Sequence, residues 1–218
     1  MRIAVGGRGP VVGAVGVTAI GLVLVLLGTE GSGWGLTLAG LAGILLGLWF
    51  FRDPEREPAP GTPVAAALAP ADGRVTDVRV GADGRTHLAI YLDLRDVHVV
   101  RTPLPVELID RRREGRGHRH AASADAGGNV RLAFAARTGR GPLELVLVTG
   151  FIARRIVPYV GSGDRLDRGG RVGLIRFGSR VETRLPRGFI TTVQQGQRVR
   201  AGVSVVALPP PGEEEERA

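Results

Sequence analysis

The sequence predicts an all-β domain carried behind two membrane-crossing helices. Three features predict it: two long uncharged apolar runs near the N-terminus, a series of short β-branched or alternating runs from residue 73 onward, and an internal near-repeat toward the C-terminus. Gly, Pro and Asp punctuate the short runs, as turns between strands require, and no amphipathic helix of convincing length interrupts them.

The first apolar run covers residues 10–28 and the second residues 34–51, joined only by TEGSG. At 18 or 19 residues each, they reach about 27 Å as helix, close to the roughly 30 Å of a hydrocarbon core. Residues 1–51 therefore form a two-helix membrane anchor. A cleaved signal peptide would account for the first run only. Gly43 and Gly47 have the G-x-x-x-G spacing that lets membrane helices approach closely, and Trp34 and Trp49 stand at opposite ends of the second run as interface anchors. Arg2 and Arg8 precede the pair, Arg52 and Arg56 follow it, and the connecting turn carries Glu30. That arginine bias places both termini, and the β domain, on the cytoplasmic side of the cell membrane.

Residues 52–62, RDPEREPAPGT, form a Pro-rich polar linker, and residues 63–208 the β-rich domain. Strands are expected at 73–80, 87–92, 97–101, 106–109, 130–135, 143–148 and 152–159, followed by strand-like runs on either side of Gly178. The near-repeat pairs GDRLDRGGRVGLI (163–175) with GQRVRAGVSVV (196–206). This pattern resembles the hammerhead hairpins of biotinyl/lipoyl-like domains, which implies two related hairpins packed around residues 177–181. The acidic tail, 209–218, is expected to be disordered.

Composition narrows the chemistry. The net charge is +8, and all 29 basic residues are arginine. Without lysine there is no pyridoxal Schiff base and no attachment point for biotin or lipoate, so the hairpin likeness does not bring a carrier function. Without cysteine, thiol catalysis, disulfides and Cys-ligated metals are excluded. The residue that stands out is Ser179, directly after Gly178 in RVGLIRFGSRVE (171–182). By itself a Gly-Ser pair reads as a turn.

Its company says more. FFRDPER, PADGRV, DVHVVRTP and IVPYVGSGDRLDRGGRVGLIRFGSRVE, in this order and spanning residue 50 to about 208, resemble the phosphatidylserine decarboxylase proenzymes, specifically their short archaeal-type branch. The resemblance implies that the chain cuts itself between Gly178 and Ser179 and that Ser179 becomes a covalent pyruvoyl group, the pyruvate cofactor. Ser179 attacks the Gly178 carbonyl, the resulting ester eliminates, and hydrolysis leaves pyruvoyl and ammonia. A large chain (1–178) and a small chain (179–218) then make up a heterodimer. The pyruvoyl ketone takes the substrate's amine as a Schiff base and draws electrons from the breaking C–CO2 bond, converting phosphatidylserine or archaetidylserine to the ethanolamine lipid. His98 and Asp72 occupy the family's catalytic positions, a base and the carboxylate that steadies it. Many relatives read H-x-x-H where this chain has His98 and Arg101. Either His98 serves both steps, or Arg101 holds a carboxylate or phosphate.

Arg111, Arg112 and Arg113 open the densest basic stretch, RRREGRGHRH (111–120), read as a loop that is either merely solvated or drawn to lipid phosphate. His118 and His120 have no further partners at a telling spacing, so no metal is assigned, and no nucleic acid is expected. Two other classes stay open: a membrane-anchored adaptor without catalysis, and a pyruvoyl decarboxylase of a soluble amino acid. The first predicts an uncut chain of about 23 kDa. The head group alone does not distinguish ester-linked from ether-linked lipid.

Overall fold

The computed structural model describes residues 2–115, 129–150, 155–176 and 179–210. The chain divides into two units, Met1–Pro54 and Glu55–Ala218. The first contains strand β1 (Arg2–Ile3), helices α1 (Arg8–Leu26) and α2 (Glu30–Phe50), and strand β2 (Arg52–Asp53), with β1 and β2 paired antiparallel. Both helices are long and apolar enough to cross a membrane, and most of their Val, Leu and Ile side chains are exposed. Side chains so disposed suit a hydrocarbon surround and not a water-facing surface.

The seam between α1 and α2 is built from small residues. A Cβ added at Gly33 would come within 2.6 Å of Val25, at Gly40 within 2.2 Å of Thr18, and at Gly47 within 2.9 Å of Val11. These glycines recur every seventh residue, with buried Thr37 between the first two, which is the period of left-handed helix packing. Gly47 is thus on the seam as the sequence suggested. Gly43 lies beside it, where an added Cβ would meet the Ala14 methyl at 3.2 Å.

The second unit is built of strands, with no helix among its described residues. They are β3 (Ala67–Leu68), β4 (Gly73–Val80), β5 (Arg85–Leu92), β6 (Val99–Arg101), β7 (Val106–Glu114), β8 (Arg131–Thr138), β9 (Gly141–Thr149), β10 (Ile156–Pro158), β11 (Arg165–Leu166), β12 (Arg171–Ile175), β13 (Ser179–Arg187), β14 (Ile190–Thr191), β15 (Arg198–Val199) and β16 (Val205–Leu208). An antiparallel eight-stranded sheet runs β11-β7-β8-β9-β13-β5-β4-β15, and two three-stranded sheets run β10-β12-β6 and β14-β16-β3. Phe134, Ile90, Leu92, Leu145, Leu147 and Leu185 fill the core between them. The alternation is clean in β8, where Leu132, Phe134 and Ala136 face inward.

One expectation needs correcting. Arg111 to Arg113 are not on a loop: β7 continues through them to Glu114, paired with Leu132 to Phe134 of β8. Charged side chains at a sheet position hide the apolar alternation that marks a strand, whereas the ladder with β8 satisfies their backbone.

The near-repeat has a structural counterpart. Its two copies supply β11 and β15, the opposite edges of the eight-stranded sheet, and each continues into a different three-stranded sheet. Gly163 and Gly196 share positive φ values of 88° and 89°, and Gly169 and Gly202 of 79° and 70°, a conformation open mainly to glycine. The copies meet at Gly169 and Gly202, where an added Cβ on Gly169 would lie 3.9 Å from the Gly202 Cα.

Candidate active site

Ser179 heads β13, the strand flanked by β9 on one side and β5 on the other, and it pairs with both Thr149 and Leu92. It is wholly buried, and its hydroxyl has no hydrogen-bond partner among the described residues. A buried hydroxyl without a partner is costly, and a catalytic role is one of the few explanations that account for one. Gly178, the other half of the expected cleavage site, lies outside the described residues, as do His118 and His120.

Two short connections bring His98 toward this serine. The Ile175 N–H, at the end of β12, donates to the His98 carbonyl at 3.2 Å, and only residues 176–178 separate Ile175 from Ser179. On the other side, Leu92 faces Ser179, and the turn leading from it to His98 is closed by Asp96 N–H donating to the Asp93 carbonyl and Asp93 N–H donating to Asp96 Oδ2, at 2.9 and 2.8 Å. Arg198 bridges both aspartates of that turn. Ile175 thus ends β12 in the β10-β12-β6 sheet, and Ser179 begins β13 in the eight-stranded sheet. Just after Ile175, burial and then the neighbouring Arg155 hold the Arg176 guanidinium below its ordinary pKa.

His98 is fully buried, and its Nδ1 lies 2.9 Å from the Asp96 carbonyl oxygen. A carbonyl only accepts, so Nδ1 carries the proton and Nε2 is the basic nitrogen. Asp72 is held from several sides. Its carboxylate is forked by Arg56, with Nη1 on Oδ1 and Nη2 2.8 Å from Oδ2, and it accepts from the Ala201 N–H at 2.8 Å and the Val97 N–H at 3.4 Å. The carboxylate thus holds the main chain one residue before His98, while a peptide carbonyl orients the imidazole.

Arg101 is buried, and its Nη1 donates to the Gly169 carbonyl at 2.9 Å, where the two repeat copies meet. Arg111 and Arg113 share one face of β7 and line a cavity of about 240 Å³ with Leu132, Ile156 and Pro158. Arg112 points to the other face, where its Nε donates to Asp110 at 2.7 Å. That guanidinium, first, and the Arg111 N–H, second, hold the Asp110 carboxyl below the usual carboxylate range. Among the described residues no three His, Cys, Asp or Glu side chains gather as metal ligands.

Sequence reasoning missed Asn129, Thr149 and Arg56. Asn129 and Thr149 are fully buried, and Asn129 Nδ2 donates to the carbonyl of Thr149, the strand partner of Ser179, at 2.7 Å. An isolated Asn before a strand carries no local signal of this. Arg56 was read only as a flanking charge, although it stands inside the FFRDPER motif.

A sequence profile of the phosphatidylserine decarboxylase family matches residues 45–207, from the end of α2 to the last strand. The chain belongs to the phosphatidylserine decarboxylase family. A phosphatidylserine decarboxylase proenzyme of Streptomyces avermitilis is 41% identical over 157 residues, covering 72% of this chain and 71% of its own length. Its counterpart from Streptomyces coelicolor is 42% identical over 157 residues, covering 72% and 70%. A Halobacterium salinarum protein assigned as an archaetidylserine decarboxylase proenzyme is 39% identical over 180 residues, covering 81% and 86%. Members of the phosphatidylserine decarboxylase family with both lipid types in their names thus align with the β domain that holds Ser179, His98 and Asp72.

Proposed function

We propose that this chain is a self-processing, pyruvoyl-dependent decarboxylase of a serine phospholipid, phosphatidylserine or its ether-linked archaetidyl counterpart. The observation that carries the reading is the Ser179 hydroxyl, buried at the head of β13 with no hydrogen-bond partner among the described residues. A pyruvoyl group fits there: its precursor serine is present and buried, and no lysine competes as an amine. When formed, the group supplies an electrophilic carbonyl and an electron sink for loss of CO2.

The chain's own residues account for the cut. His98 Nε2 takes the Ser179 proton as the oxygen attacks the Gly178 carbonyl, and the peptide bond becomes an ester. Loss of the Ser179 α-proton then expels the Gly178 carboxylate. The fixed Nδ1–H of His98 keeps the basic nitrogen in one tautomer through these steps.

For the substrate, Arg111 and Arg113 suit the lipid phosphate, with Leu132, Ile156 and Pro158 beside them suiting the start of its hydrocarbon chains. Arg112 faces away and takes no part, and Arg101, with one nitrogen committed to Gly169, is the second candidate. A phosphate grip is favoured over a carboxylate grip because decarboxylation moves the carboxylate from a charged to a less polar state.

The remaining assignments follow this reading. The boundaries are an anchor at 1–51, a linker at 52–62, a catalytic domain at 63–208 built on hammerhead-like hairpins, and an acidic tail at 209–218. The working enzyme is the heterodimer of 1–178 and 179–218, on the cytoplasmic face of the membrane. Intact mass of the purified full chain is the test. Two chains are expected, the smaller blocked at its N-terminus, and Ser179→Ala should stay single and inactive. An uncut, fully active wild type would refute the pyruvoyl mechanism, and an uncut, inactive one would favour the adaptor.

A further inference from the structure

Arg56 has a set of contacts that the roles assigned above leave unexplained. Its side chain is 6% exposed, although it sits in the polar linker where arginines are ordinarily solvated. The guanidinium forks both oxygens of Asp72, and Nη1 also reaches the Ala201 carbonyl at 3.1 Å. Ala201 returns its N–H to Asp72 Oδ1 at 2.8 Å, closing a ring of Arg56, Asp72 and the Ala201 peptide groups. Ala201 lies on the C-terminal side of the cut and Asp72 on the other. The ring therefore ties together the two chains that cleavage would produce.

The same ring reaches the base. Asp72 Oδ2 accepts the Val97 N–H, and Val97 precedes His98. The adjacent linker residue points the same way: Glu55 forms an ion pair with Arg171 at 2.9 Å, and Arg171 begins β12, whose last residue is bonded to the His98 carbonyl. Two consecutive linker residues thus fasten to the segment carrying the base and to the strand leading into the cut.

Resting on the self-cleavage reading above, we propose that Arg56 is a positioning residue for processing: through Asp72 it sets the main chain that bears His98, and through Ala201 it registers the segment beyond the cut. It touches no reacting atom. Arginine is required because a planar fork serves two carboxylate oxygens and a carbonyl together, whereas a lysine ammonium is a point donor on a flexible stem.

The test uses the full chain made by cell-free translation into lipid vesicles, following release of the small chain over time. Arg56→Ala should slow processing by about 10²-fold, the scale of a misplaced catalytic group. Guanidinium ion at millimolar concentration should restore much of the rate in Arg56→Ala and none in Asp72→Ala. Arg56→Lys should fall between wild type and Arg56→Ala. Leu108→Ala, a core substitution whose backbone bonds run to Gly163 and Asp164 and not to the ring, controls for general loss of stability, with melting points taken in the Ser179→Ala background. Arg56→Ala cutting at the wild-type rate, or slowed no more than Leu108→Ala at equal melting point and without guanidinium rescue, overturns the proposal. If Arg56→Ala does not fold, Arg56→Lys decides: slowing of tenfold or more supports it and wild-type processing overturns it. A wild type that stays uncut refutes the cleavage reading itself and is distinguishable from these outcomes.

Discussion

Replacing His98 by asparagine separates the two jobs the imidazole performs. An Asn Nδ2 can take the place of Nδ1 and donate to the Asp96 carbonyl, 2.9 Å away in the native protein, but asparagine has nothing at the Nε2 position to accept a proton. Folding should therefore survive, with a loss under about 1.5 kcal/mol, the net worth of an ordinary hydrogen bond. Processing should slow by about 10² to 10⁴, which is roughly 3 to 5.5 kcal/mol of barrier at 1.36 kcal/mol per decade. His98→Ala provides the contrast. It also abandons the Asp96 carbonyl in a buried site, adding about 1 to 3 kcal/mol of destabilisation. Processing is read from a translation time course, and stability from melting in the Ser179→Ala background, where every variant is one chain. Wild-type processing by His98→Asn would show that the base lies elsewhere. Equal destabilisation by Asn and Ala would show that the Nδ1 bond does not orient the ring.

Gly73→Ala should destabilise the β domain by several kcal/mol: φ is 141° and an added Cβ would lie 2.0 Å from the Tyr91 carbonyl oxygen, combining about 1 to 3 kcal/mol of backbone strain with a similar steric displacement, and an unchanged melting point would refute this. His87 has its pKa lowered, first by burial and then by Arg184 and Arg79, so the unfolded chain binds its proton more readily. The stability His87 contributes is complete above its unfolded pKa of about 6.5 and lost as pH falls toward the folded value. His87→Gln should accordingly lose less melting temperature than wild type between pH 7 and pH 5. Arg111→Gln with Arg113→Gln should raise KM on anionic vesicles and weaken its salt dependence while leaving self-cleavage intact, whereas Arg112→Gln should change KM little; equal effects from both faces would remove the cavity from the phosphate assignment.

The strand spans were readable where burial alternates. The run 73–80 coincides with β4 and 87–92 falls within β5, because one face of each strand meets the core and the other meets solvent. Reading stopped at residue 109 on β7, where arginines replace the alternation although the strand goes on to Glu114. Ser179 was found through the order of its motifs, and the structure adds its burial and its lack of a described partner. The partners of Asp72 were not readable in the sequence. The family motifs point to Asp72 and His98, but they do not show that Arg56, sixteen residues upstream of Asp72, forks both its carboxylate oxygens.

By itself the sequence determined the properties that depend on near neighbours along the chain: two helices long and apolar enough to cross a membrane, turns at its glycines, strands where apolar residues alternate, and a chemistry without lysine or cysteine. Tertiary structure decided what depends on residues far apart in the chain. It placed the near-repeats on opposite edges of one sheet, joined Asp72 to Ala201 across 129 residues, set Asn129 against the partner strand of Ser179, and split three consecutive arginines between two faces. The reason is that a hydrogen bond or an ion pair is selected by where the backbone brings two groups together, and an antiparallel sheet brings together residues whose separation in sequence sets no local pattern.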